Sequence, residues 1–364
     1  LAAQESGRMR AAASEYMHWA KTRPPARYNL ASSEVPHFRM DRFPIDIGDL
    51  GLDGASRYRC PALRAAIAAK CGVTADRVVM ADGASMANML AMAALVAPGD
   101  DVLVEHPAYE PMLAAARFLG GEIRQFARGG LAFALDPEAV ARAMTPRTRL
   151  ILLTNLHNPT GNLAGEAALR AIGAIAEKAG AHVLVDEVYL DAAIPTQSSA
   201  AHLGDAFVST SSLTKCYGLS GLRCGWILAS PALAEKMWRL NELFGVAQAH
   251  PAERLSCIAL ARLDEIGAEL PALLARNRAL ANDFFASRSD LEAAPMVHGI
   301  TALPRLLRGD PDALDARLRE HYDTAIVPGR FFGLADHFRI GVGGPTELVE
   351  AGLERLGAAL DELG

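Results

Sequence analysis

The sequence predicts an α/β protein with two domains: a large three-layer α/β/α domain built on a mainly parallel seven-stranded sheet, and a smaller α+β domain. In the first two-thirds of the chain, short β-branched runs alternate with Ala/Leu-rich amphipathic stretches, a pattern typical of β-α-β units. The length of 364 residues is too great for one ordinary domain. Near residue 250 the pattern changes to longer helices rich in Ala, Leu, Arg and Glu, which indicates a second domain.

Seven strands are predicted in the large domain, with four helices between them. The strands fall at residues 77–80, 101–105, 122–126, 149–154, 181–186, 206–210 and 223–229. The helices fall at residues 85–96, 110–119, 137–144 and 166–179. This number of alternating elements predicts a doubly wound sheet.

The rest of the chain is predicted to form an N-terminal arm and the small domain. Residues 1–45 contain four prolines and match neither pattern, so we expect an arm that crosses to the small domain or to a partner subunit. Residues 46–247 are assigned to the large domain and residues 248–364 to the small domain. The small domain is expected to contain helices at 252–266, 270–287 and 346–363, with a strand pair at 298–303 and 338–342.

Composition predicts a soluble, cytoplasmic protein with a small-molecule partner. The net charge of −6 provides no basic surface for nucleic acid. No apolar run approaches the roughly 20 residues of a membrane helix, and the N-terminus lacks a signal-like segment. The five cysteines show neither a C-x-x-C pair nor metal-ligand spacing, which predicts reduced thiols and no metal. Because the chain begins at Leu1 rather than Met, we expect further residues before it.

The first two distinctive segments follow predicted strands, where open α/β sheets bind their ligands. Gly83, Ala84 and Ser85 open a helix directly after a strand, and their unobstructed backbone N–H groups predict an anion site that suits a phosphate. Tyr109 follows Pro107 in the next such loop, where its ring can stack on a flat cofactor. A tight turn and simple packing are the alternative explanations.

Two further loops place polar residues at the ends of apolar strands. The NPTG turn at 158–161 follows a strand, so Asn158 can direct its side-chain amide at a ligand oxygen. Asp186 ends a very apolar run, and Tyr189 lies three residues later. A buried carboxylate is costly without a cation. The protonated ring nitrogen of pyridoxal phosphate (PLP) is such a cation.

The segment SLTKCYGLSGLRCGW, residues 212–226, is the strongest indication of a cofactor. A lysine can form a Schiff base with a carbonyl cofactor, and Lys215 lies among small hydroxyl and glycine residues that bury little apolar area. Ser212 and Arg223 in the same run can hold a phosphate. Taken alone, the segment also fits a Gly-rich turn with an exposed Lys and Arg. Together with the other loops it predicts a PLP site.

In their order along the chain, these segments resemble those of fold-type I PLP-dependent enzymes of the class I/II aminotransferase family. The ordered set comprises GAS at 83–85, Tyr109, NPTG at 158–161, D-x-x-Y at 186–189, SLTK at 212–215, Arg223, PGRFFG at 328–333 and FRIGVG at 338–343. The match covers most of the chain. It implies the PLP-dependent transferase fold of type I.

The resemblance implies a role for each residue at the cofactor. Lys215 is implied to form the Schiff base with PLP and, once freed by substrate, to move the proton between Cα and C4′. Asp186 is implied to keep the ring nitrogen protonated. Tyr189 and Asn158 are implied to hydrogen-bond the ring oxygen O3′, and Tyr109 is implied to stack on the ring. The phosphate is implied to contact the loop of Gly83, Ala84 and Ser85, together with Ser212 and Arg223.

The resemblance also implies residues that face the substrate and a partner subunit. Arg339 is similar to the arginine that binds the substrate α-carboxylate, beside Asn158. Ser33 stands where many relatives have a glycine near the substrate, so a narrower or more polar pocket is expected. Tyr58 is similar to a tyrosine that reaches the PLP phosphate of the neighbouring subunit, which implies a homodimer with shared sites. His250 stands where relatives carry a residue contacting that phosphate, although a surface histidine is the preferred interpretation.

The activity that the resemblance implies is transamination, in which an amino group passes from an α-amino acid to a 2-oxo acid through ping-pong chemistry at Lys215. PLP-dependent lyases and cyclising synthases that act at Cβ or Cγ share the whole motif set, because all begin with the same Cα carbanion, and they remain the alternative. A non-catalytic PLP-binding regulator is a third possibility. The intact Lys215, Asp186 and Arg223, and an N-terminal region with no room for a DNA-binding motif, argue against it.

Overall fold

The computed structural model describes residues 13–52, 54, 57–193 and 195–362. The α-helices in these residues are α1 (Glu15–Thr22), α2 (Pro61–Cys71), α3 (Gly83–Leu95), α4 (Glu110–Phe118), α5 (Pro137–Ala143), α6 (Glu166–Ala179), α7 (Pro231–Asn241), α8 (His250–Leu260), α9 (Leu263–Gly267), α10 (Leu270–Ala286), α11 (Pro311–Tyr322) and α12 (Thr346–Asp361). The strands are β1 (Tyr28–Asn29), β2 (Val78–Asp82), β3 (Asp101–His106), β4 (Glu122–Ala127), β5 (Thr148–Thr154), β6 (His182–Asp186), β7 (Phe207–Ser212), β8 (Cys224–Leu228), β9 (Leu291–Glu292), β10 (Thr301–Ala302), β11 (Arg305–Leu306), β12 (Thr324–Ala325), β13 (Val327–Pro328) and β14 (Phe338–Gly341).

A seven-stranded sheet forms the centre of the large domain, with the order β2-β8-β7-β6-β5-β3-β4. The pairs β3/β4, β3/β5, β5/β6 and β6/β7 are parallel, whereas β8 runs antiparallel to both β2 and β7. The predicted α/β fold with a mainly parallel sheet of seven strands is therefore confirmed.

Side chains of the central strands alternate between two apolar cores, one on each face of the sheet. Leu152 of β5 belongs to the core that contains Leu90 of α3. The next residue, Leu153, belongs to the core that contains Ile172 of α6. This alternation explains why the strands read as continuous apolar runs, and it gives the three layers α/β/α.

The strand ends that carry predicted site residues lie together at one edge of the sheet. The carboxyl ends of β5, β6 and β7 lie side by side, because Thr154 pairs with Asp186 and Asp186 pairs with Thr210. The antiparallel strand β8 starts at this edge, where Cys224 pairs with Asp82 at the end of β2. The segments before β8 and after β2 are thereby brought together.

The C-terminal part has its own apolar core, to which α10, α11, α12 and the short strands contribute. The N-terminal segment joins this part through β1, which pairs in parallel with β12, and through Leu30, which is fully buried in the same core. The domain boundaries at residues 45 and 247 stay a prediction. None of the described helices is long and apolar enough to cross a lipid bilayer.

The structure differs from the predicted elements at several places. The helix expected at 252–266 is two helices, α8 and α9, which lets Leu260, Leu263 and Ile266 all pack against the core beside α3. Helix α1 lies within the arm, where no helix was expected. Helices α7 and α11 were not predicted, although each begins with Pro at its first position, a common helix start.

Candidate active site

A cavity of about 610 Å³ opens at the carboxyl edge of the sheet, between the strand ends and the N-terminal segment. This volume lies in the range of ordinary small-molecule sites. The cavity brings together most residues that the sequence singled out, namely Ser33, Ala84, Ser85, Tyr109, Asn158, Asp186, Tyr189, Ser212, Lys215 and Arg223.

Lys215 extends from the loop that follows β7, and its ammonium group faces the cavity. Lys215 Nζ donates a hydrogen bond of 2.8 Å to Glu34 Oε1. Burial alone would lower the pKa of Lys215, but the neighbouring Tyr189 hydroxyl and Glu34 carboxylate favour the charged form, so the pKa is raised. In this structure Lys215 is therefore a charged group held at the cavity wall.

Asp186 presents a buried carboxylate at the end of β6, with 5% of the residue exposed. Asn88 Nδ2 donates to Asp186 Oδ2 at 2.7 Å, and the Val188 amide donates to Oδ1 at 3.0 Å. Burial raises the pKa of Asp186, while these two donors and the more distant Lys215 oppose that rise. No ion pair to Asp186 forms within the described residues, so the acid lacks a matching cation at contact distance.

Arg339 on β14 lies behind the cavity wall rather than in it, and it is fully buried. Its Nη1 donates to Asn158 Oδ1 at 3.1 Å, and its Nη2 donates to the Tyr16 hydroxyl and the Ala31 carbonyl, both at 3.0 Å. Its Nε is buried without an acceptor. All three acceptors are neutral, and no carboxylate in the described part of the chain pairs with this guanidinium.

A buried ion pair supports the loop that carries Asn158. The Asn158 amide donates to Thr154 Oγ1 at 2.9 Å, and Thr154 Oγ1 donates to Glu105 Oε1 at 2.7 Å. Arg128 Nε in turn donates to Glu105 Oε2 at 2.8 Å, with both side chains buried. This chain of buried contacts holds the Asn158 backbone in place.

The start of α3 and the start of β8 approach each other closely at one end of the cavity. A Cβ on Gly225 would lie 2.4 Å from the Gly83 carbonyl carbon, so both positions require glycine. Arg223 takes a left-handed backbone conformation (φ 50°) and donates from Nη2 to the Asp82 carbonyl at 3.0 Å. Its guanidinium is thus placed beside the free backbone N–H groups of Ala84 and Ser85, which makes a positively polarised end of the cavity.

Two tyrosines, Tyr109 and Tyr189, complete the cavity wall. Tyr109 directly precedes α4 as its N-cap residue, and its ring lies edge-on to that of Tyr16, with 5.9 Å between centroids. Tyr189 is 5% exposed, and burial raises its pKa. Burial also raises the pKa of Tyr109 well above its usual value, so both hydroxyls are neutral donors. The neighbouring Ser33 is buried at the same wall.

Two predicted residues lie away from this cavity. The Tyr58 hydroxyl donates to Glu242 Oε1 at 2.5 Å, and the residue is 45% exposed. His250 packs against the loop at Gly51 and faces Glu253, with 3.4 Å between His250 Nδ1 and Glu253 Oε2. Contacts of either residue with a partner subunit stay a prediction.

Sequence reasoning missed three residues that contact the site: Asn88, Glu34 and Tyr16. The sequence does contain a signal for Asn88, because a polar residue on the buried face of a mainly apolar helix indicates a buried polar partner. Glu34 and Tyr16 carried none, because both belong to the N-terminal segment, whose path along the cavity follows from its pairing with the C-terminal part.

Comparison with known proteins settles the family. The sequence profile of aminotransferase class I and II matches residues 53–356. The chain belongs to this family. It is therefore an enzyme of the PLP-dependent aminotransferase family, and the resemblance inferred from the motifs is confirmed.

Proteins similar to this chain are named for different enzyme activities. Capreomycidine synthase from Streptomyces vinaceus is 31% identical, over 83% of this chain and 78% of that protein. Histidinol-phosphate aminotransferase from Halorubrum lacusprofundi is also 31% identical, over 83% of this chain and 80% of that protein. The crystal structure of the PLP-dependent cyclase OrfR superimposes with a TM-score of 0.86 and 27% identity, covering 98% of this chain and 99% of that one.

The predicted cofactor, PLP, is the cofactor of this family, and the cavity fits it on three counts. Asp186 is a buried anion without a paired cation, which suits a protonated ring nitrogen. Arg223 and the start of α3 form a cationic end that suits a phosphate. Lys215 lies in the same cavity, where its amine can bond a carbonyl carbon.

Proposed function

We propose that this enzyme is an aminotransferase that moves an amino group from an α-amino acid to a 2-oxo acid. The observation that carries the proposal is the buried guanidinium of Arg339. Among the described residues its hydrogen-bond acceptors are all neutral, and its Nε has no acceptor. A buried cation without an anion is costly. An α-carboxylate of the substrate that displaces neutral acceptors of Arg339 would provide the missing charge. The Asn158 contact to Arg339 connects that carboxylate site to the cofactor cavity.

In this proposal Lys215 binds the cofactor and carries the proton at the substrate Cα. When bound, PLP supplies a reactive carbonyl carbon and an electron sink for the Cα carbanion. Asp186 would hold the ring nitrogen, Tyr189 and Asn158 would donate hydrogen bonds to the ring oxygen, and Tyr109 would stack on the ring. Ser212, Arg223 and the backbone at Gly83, Ala84 and Ser85 would hold the phosphate.

The side chain of Ser33 adds a constraint on the substrate. Because Ser33 is buried in the cavity wall, its hydroxyl reduces the space beside the bound amino acid and offers a hydrogen bond there. We infer that the pocket is narrower and more polar at this point than in relatives with glycine.

A second candidate, a cyclising synthase or lyase acting at Cβ or Cγ, is favoured by one observation. Two of the relatives described above are not named for transamination: capreomycidine synthase is named as a synthase and OrfR as a cyclase. Both candidate reactions need Lys215 to remove the same Cα proton, so the residues at the cofactor support either.

We also propose a cytoplasmic homodimer with shared sites. Two segments, residues 47–52 together with Tyr58 and residues 242–246, carry exposed apolar side chains, among them Ile47 (77% exposed) and Leu243 (80% exposed). The hydrogen bond from Tyr58 to Glu242 joins the two segments into one surface, which is where Tyr58 would meet a partner's phosphate. The five cysteines are all free thiols, as a reducing compartment favours.

Product analysis of the PLP-loaded enzyme tests the proposal. Single amino acids are supplied with and without a 2-oxo acid acceptor, and products are identified by mass spectrometry. Transamination predicts the matching 2-oxo acid, formed in more than one turnover only when acceptor is present. A cyclised product, or one that has lost its Cβ or Cγ substituent, formed without acceptor would instead establish the second candidate. Lys215→Ala should abolish either product, and absence of any product from wild type would refute both.

A further inference from the structure

One acidic side chain in the cavity, Glu34, forms one ion pair among the described residues, and its partner is the lysine proposed to bind the cofactor. Glu34 lines the cavity, and its side chain is 26% exposed. Burial alone would raise the pKa of Glu34, but the Lys215 ammonium group outweighs burial, so the pKa is lowered. Glu34 is therefore an ionised acid that faces the space for the substrate.

The backbone holds Glu34 at this place independently of its ion pair. The Val35 amide donates to the Lys215 carbonyl at 3.2 Å, and the Phe38 amide donates to the Gly218 carbonyl at 3.2 Å. A Cβ on Gly218 would lie 2.1 Å from the Pro36 carbonyl oxygen, so the two segments are in close contact. The backbone at Glu34 consequently stays at the cavity wall when Lys215 changes its bonding, and the carboxylate remains within reach of the cavity.

Lys215 is not a free ammonium partner of Glu34 when a substrate first binds. Under the proposed function, Lys215 Nζ is bonded to the cofactor until the substrate amine releases it, so in that state Glu34 lacks the free ammonium group that now pairs with it. Lys21, which lines the same cavity, and His37 also lower the Glu34 pKa, but both are exposed, and neither forms an ion pair with Glu34 in the described part of the chain. A partly buried carboxylate without a cation is costly. The cavity is thus prepared for a positive charge from outside the protein.

The same short segment contacts both proposed ends of the substrate. The Ala31 carbonyl accepts a hydrogen bond from Arg339, the proposed carboxylate-binding residue, and Glu34 follows three residues later. Because the α-amino group of the substrate is consumed in bonding to the cofactor, a substrate that satisfies both residues throughout has a carboxylate at one end and a cation on its side chain. We propose that Glu34 selects amino-acid substrates whose side chain carries a guanidinium or ammonium group. This inference rests on the proposed function.

Binding of unreactive analogues to the PLP-loaded enzyme tests the role of Glu34 without turnover. The probes are the 2-hydroxy-acid analogues of arginine and citrulline, which have similar shape, differ in charge, and lack the amino group needed for reaction. Calorimetry of wild type should show the arginine analogue binding about tenfold more tightly or better, because a charge-assisted hydrogen bond is lost with citrulline. Glu34→Gln should remove this preference, whereas Glu34→Asp should retain part of it. The lysine and norleucine analogues show whether an ammonium group serves as well as a guanidinium.

The outcomes separate this inference from the proposed function. Equal affinity for charged and neutral analogues in wild type, or a preference that survives Glu34→Gln, would overturn the role of Glu34. If the Glu34-dependent preference is present but no amino acid is converted to product, the proposed function fails and the selection of a cation by Glu34 stands. Melting temperatures of the two variants should match that of wild type, which shows that loss of preference does not come from unfolding.

Discussion

At the scale of single residues, Asn88 is important because it contacts the cofactor site directly and the sequence motifs did not reveal it. It accepts a hydrogen bond from Thr210 Oγ1 at 2.5 Å and donates to Asp186 at 2.7 Å, with all three side chains buried. The Thr210 contact fixes which end of the Asn88 amide faces Asp186. Asn88 therefore stabilises the ionised form of an acid whose pKa burial raises.

We expect Asn88→Leu to weaken PLP binding about tenfold, because a hydrogen bond to a charged group contributes roughly 1.5 to 3 kcal/mol. Without Asn88 the pKa of Asp186 rises further, so ionised Asp186 becomes available only at higher pH. The affinity for PLP should therefore recover as pH rises, and this rise should lie at higher pH than in wild type. Fluorescence titration with PLP from pH 6 to 9 measures the shift.

Two variants make the Asn88 result specific. Thr210→Val should produce a smaller loss of PLP affinity, because it removes only the group that orients Asn88. Asn282→Leu is a matched control, since Asn282 makes two backbone hydrogen bonds with Met296 far along the chain from the cavity. An unchanged PLP affinity in Asn88→Leu would contradict the assigned contact.

At the scale of elements, the junction between β2 and α3 depends on one glycine. Gly83 has a φ of 78°, and a Cβ there would lie 2.4 Å from Arg223 Nη2. We expect Gly83→Ala to push the Arg223 guanidinium out of position and to lower PLP affinity about tenfold, through loss of a charge-assisted phosphate contact. Gly221→Ala is the control, because nothing lies within 4 Å of a Cβ at that position. PLP affinities that fall equally in both variants would show that the junction does not hold the phosphate.

The elements also show how far sequence reasoning reaches. Strand ends could be predicted because apolar runs stop where polar residues begin, and in a parallel sheet those ends share one edge. The amino-acid pattern alone was therefore enough to predict that Asp186, Asn158 and Lys215 lie together. It could not place Glu34, because no periodicity links residue 34 to residue 215; their contact depends on how the N-terminal segment crosses the sheet edge.

The buried state of Arg339 shows a second limit. The sequence placed it in a strand and the resemblance assigned it to the substrate carboxylate, but neither indicated that Tyr16 would cover it. A tyrosine in an Ala-containing amphipathic helix carries no sign of a distant arginine partner. Such contacts follow from the packing of α1 against the C-terminal part, which is a property of the complete fold.

At the scale of the whole molecule, the surface formed by residues 47–52, Tyr58 and residues 242–246 determines the expected assembly. Six exposed apolar side chains lie on these segments, namely Ile47, Leu52, Tyr58, Leu243, Phe244 and Val246. A second copy of the chain is the occupant that the proposed dimer requires, and burial of such side chains stabilises an interface by roughly 25 cal/mol per Å². Light scattering should then give twice the mass of one chain.

Leu243→Asp should convert the dimer to a monomer, because it buries a charge without a partner in the proposed interface. PLP affinity should fall in the monomer if Tyr58 reaches the partner's phosphate. Tyr58→Phe separates the two effects: it should keep the dimer and still weaken PLP binding, since only the hydroxyl is lost. Leu307→Asp is the matched control, because Leu307 is exposed on the C-terminal part outside this surface. A Leu243→Asp monomer that binds PLP as tightly as the wild-type dimer would refute the shared site. It would mean that the cavity of one chain holds the cofactor with its own residues alone.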